Sequence, residues 1–282
     1  MDLVLFYSFV VVVGLSIGSF INVAVYRIPK ILQFEWFTEC YEILNLQPKF
    51  HKTPTYELNL WLPRSHCPHC KQKISLLDNI PVISYCLLKG KCRHCKEKIS
   101  VKYPLTEILT AGFSLVVAYK FGIQLKIFFA LLCTWALILQ AEIDIQEYLI
   151  PDEITLPMLW LGLIINNFNM FVDLQSAVVG AVLGYLSFWS IYWIFKIITG
   201  KDGIGYGDFK LLAMLGAWFG YKNLLLIVLI SSAIGSLVGG VLILLKKHDK
   251  NSPIPFGPYL AIAGWITMMW GNAIDKWYLQ CC

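Results

Sequence analysis

Charge is scarce in this sequence. Asp, Glu, Lys and Arg make up 15% of its 282 residues, apolar types make up 57%, and the mean hydropathy is +0.64. That shortage excludes an ordinary soluble chain and a disordered one, both of which need more polar surface. A basic tail is missing as well: the net +5 comes from 23 Lys and Arg spread against 18 acids, so nothing reads as a nucleic-acid footprint. No low-complexity tract or internal repeat stands out. No G-x-G-x-x-G opens a helix, so a Rossmann-type cofactor site is not visible. The first apolar stretch lacks the basic n-region and A-x-A-like site of a cleaved signal peptide, and it reads as a retained helix.

What the chain does have is long apolar runs. A membrane span needs about 20 such residues. Runs occur near 3–26, 105–121, 125–141, 153–168, 174–198, 209–220, 223–245 and 255–274, the sixth being short enough to suggest a buried or re-entrant helix. The expected fold is therefore an all-α integral membrane protein of about eight transmembrane helices. It divides into a first span over 1–26, a loop domain over 27–104 and a seven-helix core over 105–282. Between Arg27 and Lys102 lie 13 basic and six acidic residues, a formal +7 that leaves −2 for the rest. If all eight runs cross, 19 of the 23 Lys and Arg fall on the side of this insert, Lys246, Lys247 and Lys250 among them. The positive-inside rule then makes that side cytoplasmic.

The insert contains Cys67-Pro68-His69-Cys70 and Cys92-Arg93-His94-Cys95, two CxxC pairs separated by 21 residues. Each pair puts two sulfurs on one tight turn, and four thiolates around a zinc ion make a closed structural site. In a loop with little core of its own, metal binding would supply folding free energy. Disulfides and free or redox thiols are the alternatives, the former disfavoured in a reducing compartment. His66, His69 and His94 are further possible ligands, while Cys40, Cys86, Cys133, Cys281 and Cys282 have no such spacing.

Two aspartates stand at the ends of apolar runs: Asp144 closes the third, and Asp208 opens the sixth within Gly205-Tyr206-Gly207-Asp208. An acid there is costly unless paired, hydrated or useful. Brought together, two carboxyls share a proton, so that one draws a proton from water while the other donates to a scissile carbonyl. The residues alone leave other readings open. Asp208 fits a helix N-cap, Asp152 fits one better still, and Asp144 and Glu142 fit interfacial acids. Glu142, Asp144, Glu147, Asp152 and Glu153 form an acidic stretch without a base, a rim suited to a cationic segment or simply a solvated turn.

These residues belong to an ordered set. It runs from Gly18-Ser19-Phe20-Ile21-Asn22-Val23 and Tyr26-Arg27-Ile28-Pro29 through Leu62-Pro63-Arg64-Ser65-His66-Cys67 and Asp78-Asn79-Ile80-Pro81-Val82-Ile83-Ser84. Leu88-Lys89-Gly90-Lys91-Cys92 and Tyr103-Pro104-Leu105-Thr106-Glu107 follow, then Asp144 with Tyr148-Leu149-Ile150-Pro151-Asp152, the 205–211 motif and Pro255-Phe256-Gly257-Pro258-Tyr259. Nearly end to end, the chain resembles the type IV prepilin peptidases, bifunctional leader peptidases and N-methyltransferases of type IV pilus and type II secretion systems.

The resemblance implies a multi-pass bacterial inner-membrane enzyme with its site near the cytoplasmic face and Asp144 and Asp208 as catalytic pair. It implies that prepilins and pseudopilins are cut after a Gly at the end of a short basic leader, and that the new α-amine is methylated from S-adenosylmethionine. Gly90 and Lys91 match positions associated with methylation. An α-amine has a pKa of about 7.7–8.0, so a nearby acceptor would help, and Glu107 is a candidate beside its plainer reading as a first-turn acid. Cys67, Cys70, Cys92 and Cys95 remain the expected zinc ligands. Residues 31–61 carry little motif content and read as an amphipathic loop. The rivals are an intramembrane protease of the presenilin kind, which shares the GxGD aspartate but not the CxxC turns, and a proton- or ion-coupled transporter.

Overall fold

The computed structural model describes residues 3–45, 59–75, 77–245 and 254–281. Lys246, Lys247, Lys250, residues 46–58 of the expected loop, and Cys282 lie outside the described residues. The chain forms two compact units, Met1–Ile127 and Phe128–Cys282.

In the first unit, α1 (Leu3–Ile43) packs along α3 (Lys102–Phe121). The contact is built from small residues. A Cβ on Gly14 would sit 2.8 Å from the Cα of Ala111, and one on Gly18 would sit 2.6 Å from the Cα of Glu107. Two glycines four residues apart thus let the backbones touch, the packing that apolar helices use when the surrounding solvent is itself apolar. Thr110 and Ser114 line the same face and turn their hydroxyls back onto Thr106 O and Thr110 O, so no polar group is left open there.

The expected loop after residue 26 is corrected in part, because α1 continues through Pro29 to Ile43. Residues 30–43 contain no Gly or Pro, so the hydrogen-bond ladder resumes once past the proline. Lys30 reaches back over the ring of Tyr26, 3.5 Å from its centroid, one turn across that proline. Below it the buried Arg27 donates to Asn59 O at 2.8 Å and Pro63 O at 2.5 Å, fastening the start of the cysteine segment to α1.

That segment holds two copies of one knuckle. Cys67 N donates to Gln72 O and Lys71 N to Cys67 O; the second copy repeats this with Cys92 N to Glu97 O and Lys96 N to Cys92 O. Lys71 and Lys96 both take φ 59°, and the isolated bridges His66 to Lys73 and Lys91 to Lys98 correspond. The expectation of no internal repeat is therefore corrected. His66–Ser75 and Lys91–Ser100 read HCPHCKQKIS and KCRHCKEKIS, a duplication shorter than the roughly 20–50 residues of a stacking repeat unit. A short helix, α2 (Ile83–Leu87), lies between the copies.

The second unit comprises α4 (Leu125–Glu147), α5 (Asp152–Asn166), α6 (Leu174–Thr199), α7 (Tyr206–Phe219), α8 (Leu224–Leu244) and α9 (Gly257–Cys281). Its centre is α7, which packs against α5, α6, α8 and α9 and is buried along almost its whole length. Gly184 of α6 is held so close that a Cβ would fall 2.7 Å from Leu212 O, and Gly180 meets the backbone of Gly216 in the same way. At the far end of α7 the fully buried Asn166 donates to Ala217 O and Trp218 O and accepts from Phe171 N and Val172 N, satisfying the helix end.

All eight apolar runs of the sequence are helical. Four helical stretches, Leu3–Ile43, Leu125–Glu147, Leu174–Thr199 and Tyr221–Leu242, are long and apolar enough to cross a membrane by length and composition. α5 and α7, at 15 and 14 residues, are shorter than the span of about 20 that a bilayer requires.

Candidate active site and metal centre

Asp144 lies in the last turn of α4 and is 6% exposed; Asp208 lies in the first turn of α7 and is 7% exposed. The chain leaves α4 at Tyr148, whose left-handed φ of 54° turns it into Leu149-Ile150-Pro151. Pro151 caps α5. Ile150 then fills the space between two glycines. A Cβ on Gly207 would be 2.8 Å from Ile150 Cβ, and one on Gly257 would be 3.0 Å from Ile150 Cδ1. The starts of α7 and α9 and the turn after α4 thus close on one side chain.

Gly257 N donates to Asp144 Oδ2 at 2.9 Å, and a Cβ there would lie 2.7 Å from that oxygen. Asp208 is not the N-cap of α7: Gly205 is, and Asp208 N donates back to Gly205 O at 3.1 Å. Asp208 Oδ1 is buried and has no hydrogen-bond partner. Gly257, against Asp144, and Gly207, next to Asp208 in the chain, both pack on Ile150, which brings the two aspartates to the same end of the unit. One turn below Asp144, the buried Gln140 donates to Thr155 Oγ1 at 3.1 Å, and Thr155 donates to Pro151 O, tying α4 to α5 beneath the site.

The acidic rim is reduced. Asp152 is the first residue of α5 rather than its cap, and both its oxygens accept from Lys210 Nζ, at 2.8 and 2.6 Å. Lys210 comes from 58 residues away, so the run of five acids without a base is a feature of the sequence and not of the surface. Glu147 and Glu153 remain exposed.

In the first unit the Sγ atoms of Cys67, Cys70, Cys92 and Cys95 lie within 4.8 Å of one another, with Cys67 and Cys95 at 3.8 Å. A zinc ion about 2.3 Å from each of four tetrahedral sulfurs sets them about 3.8 Å apart, so this donor set fits the ion. Backbone N–H groups of Cys70 and His69 draw the Cys67 thiol down to about 7, and those of Cys95 and His94 lower Cys92, favouring thiolates there, whereas burial and the neighbouring sulfurs push Cys95 up to about 11. The four cysteines are free thiols, and among the described residues no histidine joins the cluster. Arg93, inside the second knuckle, binds Asp78 through Nε at 3.0 and 2.9 Å and through Nη2 at 2.5 Å. The guanidinium holds the Asp78 carboxyl below its usual range.

Gly90 and Lys91 follow α2 and Glu107 meets its other end. Gly90 has φ 66° and donates to Tyr85 O; a Cβ there would be 2.9 Å from Tyr85 Oη. Lys91 is exposed. Glu107, 8% exposed, accepts from Val82 N at 2.8 Å and also bonds Ser19. Val82 takes φ 60°, a rare conformation for a β-branched residue.

Sequence reasoning missed the partners Lys210, Arg93 and Val82, for which spacing gives no signal. Gly257 was visible only as part of the last-helix motif.

Residues 12–121 match the model of the bacterial peptidase A24 N-terminal domain, and residues 131–240 match that of the type IV leader peptidase family. The prepilin leader peptidase/N-methyltransferase of Pseudomonas aeruginosa is 49% identical over 270 residues, 96% of this chain and 92% of that one. Its namesake in Aeromonas hydrophila is 49% identical over 275 residues, 98% and 94% of the two chains. The one in Xanthomonas campestris is 41% identical over 267 residues, 95% and 92%. No solved structure matches. With both halves matched in order and the relatives aligned over nearly their whole lengths, the chain belongs to the type IV leader peptidase family, whose members are aspartic peptidases.

Proposed function

We propose that this protein removes the leader peptide from type IV prepilins and type II pseudopilins and then methylates the α-amine it has exposed. The observation that carries the peptidase half is the pair of buried carboxyls, Asp144 and Asp208, one held by Gly257 N and the other with an open oxygen. With one proton shared between them, the ionised carboxyl takes a proton from water and the resulting hydroxide adds to the scissile carbonyl. The protonated carboxyl donates to the carbonyl oxygen. Collapse of the tetrahedral adduct breaks the C–N bond, and the proton taken from water leaves with the amine. No covalent enzyme intermediate forms.

For the second half S-adenosylmethionine would supply the methyl group from its sulfonium, and the amine that receives it would give up a proton. We assign this half to the first unit, at Gly90, Lys91 and Glu107, on opposite ends of α2. Cys67, Cys70, Cys92 and Cys95 would hold a structural zinc ion, whose part is to bind the two knuckles together. Eight helices crossing the bacterial inner membrane, with the cysteine segment and both aspartates toward the cytoplasm, accord with the distribution of Lys and Arg. The basic leader would meet Glu147 and Glu153, Asp152 being already paired.

Purified protein incubated with a precursor pilin and S-adenosylmethionine, with product masses read for wild type, Asp144→Asn and Asp208→Asn, tests the reading. Leader loss and a methyl gain are expected for wild type. Leader loss unchanged in either variant would overturn the assignment of the pair.

A further inference from the structure

Asp208 is delivered to the site by the loop that joins α6 to α7, and a side chain of α6 ties that loop to α7. Tyr192, on the last turns of α6, donates its hydroxyl to Asp202 Oδ1 at 2.7 Å and accepts from Lys196 Nζ at 2.8 Å. Lys196 and Asp202 close the triangle at 3.0 Å. The same tyrosine ring packs on Tyr206 and Phe209, at 5.1 and 5.7 Å between centroids, so it contacts α7 on either side of Asp208. Gly200 ends α6 in a left-handed conformation, and Gly203 lies against the ring of Phe195, leaving the loop little rigidity of its own.

The burial pattern is uneven. Tyr192 is 2% exposed, whereas the side chains of Lys196 and Asp202 are 40% and 71% exposed. An exposed ion pair contributes about 0–1 kcal/mol, too little to fix a glycine-containing loop. A buried phenol hydroxyl, by contrast, requires its partners, and here they are the loop's acid and the helix's base.

We propose that Tyr192 is a positioning residue for peptide cleavage, clamping the 200–205 loop and the first turn of α7 so that the Asp208 carboxyl is held opposite Asp144. This rests on the reading that Asp144 and Asp208 perform hydrolysis. Displacing a reacting group by about 1 Å lowers a rate by about 100-fold, so a clamp acting through the loop shows in turnover before it shows in binding.

The test uses the full chain in detergent or liposomes with a precursor pilin. In Tyr192→Phe, which keeps the ring contacts and loses the hydroxyl, kcat for cleavage is expected to fall about 10-fold with KM within about twofold of wild type. Asp202→Ala should match it, and Asp202→Asn, which keeps an acceptor oxygen, should restore most of the rate. The double variant Tyr192→Phe/Asp202→Ala should be no slower than either single one. Methylation of a leaderless pilin peptide serves as the internal standard and should stay within about twofold. Wild-type kcat in Tyr192→Phe, a change confined to KM, or a parallel loss of methylation would each overturn the clamp. Asp208→Asn separates the two ideas. If it cleaves normally, the catalytic pair and the clamp both fall, and if it is inactive while Tyr192→Phe is normal, only the clamp falls.

Discussion

The two units hold their chemistry by opposite means. In the first, beyond the glycine-lined contact of α1 with α3, order comes from polar contacts between short segments: four thiols gathered within 4.8 Å, the forked Arg93–Asp78 pair, Arg27 on two carbonyls and Glu107 on a strained Val82. In the second, order comes mainly from close packing, with Gly180 and Gly184 on the backbone of α7, Gly207 on Ile150 and Gly257 on Asp144 and Ile150, each placed where a methyl group would collide. The first unit is assembled by ligands and charges, which titrate, chelate and respond to salt. The second is assembled mainly by shape, which does none of these, its ion pairs Asp152–Lys210 and Asp202–Lys196 being partly exposed. A perturbation aimed at one means of assembly should therefore leave the other activity standing.

The largest expected effect breaks the comparison at its chemical end. Asp144→Asn or Asp208→Asn should lower cleavage by about 100- to 10,000-fold while a leaderless pilin peptide is methylated at the wild-type rate, with both read by product mass. Gly257→Ala comes next. The added methyl displaces the Asp144 carboxylate from its amide donor, and a cleavage loss of about 100-fold is expected, seen in kcat rather than KM. Asn166→Leu tests shape without touching the site. It orphans Phe171 N, Val172 N and the carbonyls of Ala217 and Trp218, at about 1–3 kcal/mol for each group that finds no water, and should lower the thermal midpoint of the second unit.

Two smaller effects belong to the first unit. Cys67→Ser, or chelation of the wild type, should reduce bound metal to background and open the knuckles to trypsin, with cleavage of prepilin preserved. Acid should loosen the same unit at the Asp78–Arg93 contact. Because Asp78 titrates lower in the folded chain than in the unfolded one, its stabilisation is present above the ordinary carboxylate range and is lost as pH falls through the depressed value. Asp78→Asn should remove that acid-dependent part of the protease sensitivity and leave the rest.

Much of the architecture was legible before any coordinates. Apolar run length marks helices in a lipid-solvated chain because the other backbone solution, a closed barrel, is built from strands that alternate apolar and polar residues, and each of the eight runs is helical. The cysteine cluster was legible because its ligands come in pairs on tight turns. What stayed hidden were partners far apart in sequence. Lys210 with Asp152, Gly257 with Asp144 and Arg93 with Asp78 are joined across 58, 113 and 15 residues, and no periodicity encodes such a meeting. The extension of α1 past Pro29 was hidden for a different reason: a proline in the sequence reads as a stop, whereas a helix already propagating on both sides absorbs it. The knuckle duplication was in plain view, in a stretch of ten residues.

The burial of α7 has a consequence for how the enzyme meets its bilayer. From Leu211 to Phe219 every residue is buried, so this helix has almost no lipid-facing surface on which hydrophobic mismatch can act. The position of Asp208, at the start of this helix, is dictated by the protein packed around it. The depth of the Asp208 carboxyl is thereby set by protein packing and not by acyl-chain length.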